Sequence, residues 1–104
     1  PDQLGLRPKV RQWYSEVTGH DKATERARIC VAYDTVAAQI ATGKIKTDGD
    51  RTAAIDTALK QLDPVVLERW EPFTGKLEVA LGTSDQSDWL AILKTTVGTL
   101  RGGL

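Results

Sequence analysis

From Asp21 to Thr42 the chain runs without a single Gly or Pro, a stretch long enough for about six helical turns. No β-strand is normally that long, so the segment constrains the fold more than any other feature. Two apolar stripes follow its helical spacing. One passes through Ala27, Cys30, Val31, Ala37, Ala38 and Ala41, the other through Ile29, Tyr33, Val36 and Ile40. A helix that is apolar around most of its circumference packs against neighbours on several sides. This segment is therefore expected to be the central helix, its alanines admitting close neighbours, with Asp21 as N-cap and Gly43 as its stop.

The flanking sequence punctuates further helices. Val10, Trp13, Tyr14 and Val17 fall at i, i+3, i+4 and i+7 between Pro8 and Gly19, predicting a helix over residues 8–18. After the polar connection Gly43–Gly49, Asp50 is placed to cap a helix that buries Ile55, Ala58, Leu59 and Leu62. Asp63-Pro64 pairs a favourable N-cap with a favourable first helical residue, and Val66, Leu67 and Trp70 then face inward. Pro72 either ends that helix near Glu71 or sits within a longer one. Phe73, Leu77, Ala80 and Leu81 resume the stripe, which Gly82 is expected to terminate. Residues 83–86 offer capping oxygens for a last helix carrying Trp89, Leu93, Val97 and Leu100.

Sustained apolar–polar alternation bounded by hairpin turns does not occur. The expected fold is all-α: a compact, mostly antiparallel bundle of five or six helices. At 104 residues with 40% hydrophobic and 27% charged side chains, the chain has the composition of a single globular domain spanning residues 1–104. Residues 1–7 are read as an N-terminal arm and 102–104 as a flexible tail.

Fourteen Lys and Arg balance fourteen Asp and Glu. Without excess positive charge there is no bulk electrostatic drive toward nucleic acid, although residues 7–28 lean basic and 48–88 lean acidic. A single cysteine makes no intramolecular disulfide, and no apolar run approaches the roughly 20 residues that span a bilayer. A cytoplasmic location is the default, with export after signal removal left open.

The chemistry-bearing residues have structural explanations. His20 follows a helix-ending Gly, and Cys30 lies between Ile29 and Val31 on the most apolar segment, where a cysteine behaves as a small hydrophobe. One His and one Cys do not supply the four ligands of a zinc site. Asp48-Gly49-Asp50 has carboxylates suited to calcium, but counting from Asp48 puts Ala at the sixth position and Leu at the twelfth, where an EF-hand requires Gly and Glu. Glu68 with Glu71, and Asp85 with Asp88, are i, i+3 carboxylate pairs read as solvated or as helix-terminal charge. No catalytic residue, metal or cofactor is therefore expected.

The aromatic residues carry the functional expectation, because such side chains anchor protein interfaces. Tyr14, Trp70 and Phe73 are the candidate protein-binding residues, Trp70 lying in Arg69-Trp70-Glu71-Pro72-Phe73 beside the Pro72 break. The sequence reads as a small, non-catalytic helical module that binds a protein partner. Two alternatives stand beside it: a self-associating subunit of a larger assembly, phage or viral included, and a small enzyme with an acidic cleft using Glu68, Glu71 or His20.

Overall fold

In the computed structural model, which describes residues 22–102, the Gly- and Pro-free segment is one helix, α1 (Lys22–Ala41). It ends in a paired turn centred on Gly43, whose φ of 79° belongs to the left-handed region. The Gly43 amide donates to the Ile40 carbonyl at 3.1 Å and the Lys44 amide to the Gln39 carbonyl at 2.9 Å, which satisfies two carbonyls of the last turn. Any Cβ at position 43 would strain this turn.

The second helix, α2 (Asp48–Leu59), starts two residues before the expected cap. Thr47, in an extended conformation, is its N-cap, and its hydroxyl accepts a 3.0 Å bond from the Asp50 amide. Asp50 is thus not the cap. It sits with Asp48 inside the first turn, where negative charge complements the exposed amides. Asp48 also binds Arg51 at 2.7 Å.

Asp63 and Pro64 open α3 (Pro64–Gly82) as read, with the Asp63 carboxylate accepting from the Val65 amide at 2.9 Å. This helix passes straight through Pro72. The proline is exposed, so the carbonyl one turn earlier that loses its amide partner lies toward water, where the loss is tolerated. A 3-10 turn (Gln86–Asp88) then leads into α4 (Trp89–Arg101).

All regular structure among the described residues is helical. The described residues form four α-helices of the five or six expected; Pro72 does not divide α3, and the further helix expected over 8–18 falls on residues not described. The expected helix over 8–18, with Tyr14, the Asp21 cap, the arm 1–7 and positions 103 and 104, lie outside the described residues. No described helix is long and apolar enough to cross a membrane.

The core forms where α1 meets α4. Ile29, Cys30, Tyr33 and Val36 of α1 pack with Trp89, Leu93, Val97 and Leu100 of α4, and Ile55, Leu77 and Leu81 close the cluster from α2 and α3. Asp34 and Arg101 add an ion pair at the edge of the same contact. Helix α3 reaches α1 through large side chains: Phe73 meets Tyr33 edge to face with ring centres 6.5 Å apart, and Trp70 meets Phe73 at 5.9 Å.

Of the two apolar stripes on α1, the one through Ile29, Tyr33, Val36 and Ile40 is the more enclosed, the first three buried and Ile40 partly so. Along the other, Cys30 and Ala37 are buried while Ala27, Val31 and Ala38 are exposed. The central helix is therefore not surrounded by the described residues. One of its faces is open.

Candidate functional site

That open face forms one wall of a groove of about 700 Å³ between α1 and α2. Ala27, Val31 and Ala32 line it from α1; Ala53, Ala54 and Ala58 line it from α2. Its polar groups stand at intervals: Thr24, Arg28, Thr35 and Gln39 along one wall, Thr57 and Gln61 along the other. Five of its lining residues are alanines. A surface of this kind suits an apolar ridge rather than a small polar ligand, because its apolar lining gains from burial while few groups could orient a compact molecule. Val31, 61% exposed, is the most evident apolar side chain left to water here.

A smaller depression of about 430 Å³ lies where α1 meets α3, lined by Lys22, Glu25, Arg69 and Trp70. Glu25 is fully buried. One carboxylate oxygen accepts from Arg69 at 2.6 Å and the other from the Trp70 indole N–H at 3.1 Å. With both oxygens engaged by donors, this carboxylate acts as a structural anchor that ties α3 to α1. The sequence reading missed it, although Glu25 precedes Ile29 by four residues and so continues the buried stripe.

Trp70 and Phe73, two of the expected partner-binding aromatics, lie together on α3, both half-buried, and neither lines the α1–α2 groove. Tyr14 lies outside the described residues, as does His20. Glu68, Glu71, Asp85 and Asp88 are all exposed and line neither depression. Among the described residues no group of three or more His, Cys, Asp or Glu side chains converges as a metal site would require.

Cys30 is buried, its sulfur 4.0 Å from the Val97 carbonyl oxygen. Burial pushes its thiol pKa up, outweighing the attraction of Arg101. This is the opposite of what activates a nucleophile.

Tyr33 is more unusual. Its ring is buried, and among the described residues its hydroxyl has no hydrogen-bond partner. Burial, with a smaller contribution from Glu78, raises the phenol pKa well above its ordinary value. The neutral form is favoured in the folded state, so this group leaves stability intact below the unfolded phenol pKa of about 10 and withdraws it as pH rises beyond. Tyr33→Phe removes the orphaned hydroxyl. Its expected effect at neutral pH is between none and a gain of about 1 kcal/mol, with a shallower alkaline decline; urea denaturation from pH 7 to 11 checks both. A loss above about 1 kcal/mol at pH 7 would show that the hydroxyl has a partner after all.

Compared with protein-family models, with curated proteins and with solved structures, the chain matches none of them.

Proposed function

We propose that this chain is a small helical interaction module that takes an amphipathic helix of a protein partner into the groove between α1 and α2. The observation that carries the reading is the open apolar wall of α1, where Ala27 and Val31 stay exposed on a helix whose other face fills the core, and face a second small-residue wall on α2. Helix-in-groove recognition works by burying anchors spaced i, i+3, i+4 and i+7 along such a trough. Arg28, Gln39 and Gln61 supply polar groups around it, which set register and orientation rather than bulk affinity.

The test is selection of helical peptides from a displayed library on the full chain, with an Ala53→Arg variant as counter-screen. Ala53 is exposed, so the added side chain blocks the trough without entering the core. Enriched peptides should carry the four-point apolar spacing and lose about tenfold or more in affinity, about 1.4 kcal/mol, against Ala53→Arg at unchanged melting temperature. Peptides that bind both chains equally, or no enrichment, would reject the groove. Trp70 and Phe73 form a second proposed contact surface. Peptide binding that is lost in Trp70→Ala but kept in Ala53→Arg would move the site there.

A further inference from the structure

Of the described residues that line the α1–α2 groove, only Arg28 is charged. The other polar groups there are threonine hydroxyls and the amides of Gln39 and Gln61. Helix α2 holds Asp48, Asp50 and Asp56, yet none of the three lines the groove. The positive charge on one wall therefore has no carboxylate facing it from the other.

Nor does its own helix supply one. Arg28 is exposed, and among the described residues it makes no hydrogen bond or ion pair. By contrast Arg51, Arg69 and Arg101 each meet a carboxylate, those of Asp48, Glu25 and Asp34. The positions on a helix that face Arg28 lie three or four residues away, at Thr24, Glu25, Val31 and Ala32. Glu25 is the one acid among them, and it is buried with one oxygen on Arg69 and the other on the Trp70 indole.

The place of this charge gives the groove a direction. Its lining runs from Thr24 to Gln39 along α1, about 22 Å or four turns. Arg28 stands about 6 Å from the Thr24 end, whereas the Gln39 end is neutral. It is also next to Ala27 and one turn before Val31, the two exposed apolar residues of that wall. A helix whose apolar ridge covers Ala27 and Val31 brings its flank against the guanidinium.

We infer that the partner of the groove is an acidic amphipathic helix of about four turns, whose Asp or Glu, three or four residues from the anchor over Ala27 and Val31, pairs with Arg28. The inference rests on the helix-binding reading of the groove and adds the partner's charge and register. A rim pair of this kind contributes little to affinity, but it rejects partners of the wrong charge and makes binding sensitive to salt.

The probe is a library of four-turn helical peptides with a fixed apolar stripe and randomised flanks, selected in parallel on the full chain and on its Arg28→Glu and Arg28→Gln variants. Arg28 is exposed, so all three chains should melt at the same temperature. The unaltered chain should enrich Asp or Glu at one flank position, Arg28→Glu should enrich Lys or Arg at that position, and Arg28→Gln should show no charge preference there. Exchanging the acid for lysine in a selected peptide should weaken binding to the unaltered chain about fivefold or more and restore it on Arg28→Glu, with the difference shrinking at high salt. Flanks that do not change with residue 28, in peptides that Ala53→Arg still blocks, would overturn the inference while the groove stands. Peptides that bind Ala53→Arg equally well, or no enrichment on any chain, would remove the groove reading and this inference with it. A dimer of the free chain in light scattering that Arg28→Glu dissociates would make a second copy the occupant and overturn it as well.

Discussion

Trp89→Ala is expected to cost the fold about 3–5 kcal/mol, the range for deleting a buried aromatic. Trp89 is 2% exposed at the start of α4. Its indole N–H donates at 3.1 Å to the Leu81 carbonyl in the last turn of α3, which also accepts from the Ser84 amide at 3.3 Å. Over its ring, at 4.6 Å, lies the guanidinium of Arg51 from α2. One side chain thus joins three helices. Its removal also strips the aromatic face from Arg51, which is itself buried and whose Nε has no partner among the described residues.

Against a typical domain stability of about 5–15 kcal/mol, such a loss is large. It corresponds to a fall in melting temperature of at least about 12 °C for a domain of this size. Trp89→Phe keeps most of the packing and removes the indole donor, so about 1–2 kcal/mol is expected. Chemical denaturation of both variants checks the division. A Trp89→Ala cost below about 1 kcal/mol would contradict the central place given to this residue.

The Glu25–Arg69 pair should give the next largest effect, and an asymmetric one. Glu25 is fully enclosed, whereas the Arg69 side chain is 52% exposed. Removing the arginine leaves a buried carboxylate whose one remaining donor among the described residues is the Trp70 indole. Breaking a buried pair from one side costs about 3–5 kcal/mol; the lower end applies here because water can follow the departing guanidinium. Arg69→Ala is therefore expected to lose about 3 kcal/mol, far more than truncation of a half-exposed arginine elsewhere.

Replacing both partners, as Glu25→Leu with Arg69→Leu, removes the charge that is costly to bury and should recover most of that loss. A double-mutant cycle in denaturant measures the coupling. Additive single effects would mean that the two side chains are held independently and that the pair does not tie α3 to α1.

The helices were legible from sequence because their signals are local. The Asp63-Pro64 start of α3, the Gly43 stop of α1 and the stripe from Trp89 to Leu100 depend on backbone chemistry and residue spacing within a few turns. Where two local signals competed, sequence gave less. Thr47 and Asp50 are both good caps, and the choice followed the first turn that Asp48 and Arg51 could complete. At Pro72, whether a helix stops or continues depends on whether the freed carbonyl meets water, which is a property of the assembled bundle.

The groove and the Glu25 anchor belong to the second kind of information. Sequence determined that α1 carries two apolar stripes, since periodicity alone reveals them, but not which of them the rest of the chain would cover. Nothing local distinguishes Val31, left exposed, from Val36, fully buried. Likewise Glu25 reads as an ordinary charged residue until Arg69 and Trp70, more than forty positions away, supply its donors. Local backbone preference set where the helices are. Only tertiary packing decided which apolar face was left open and which charge was enclosed, because burial depends on distant side chains that no short window contains.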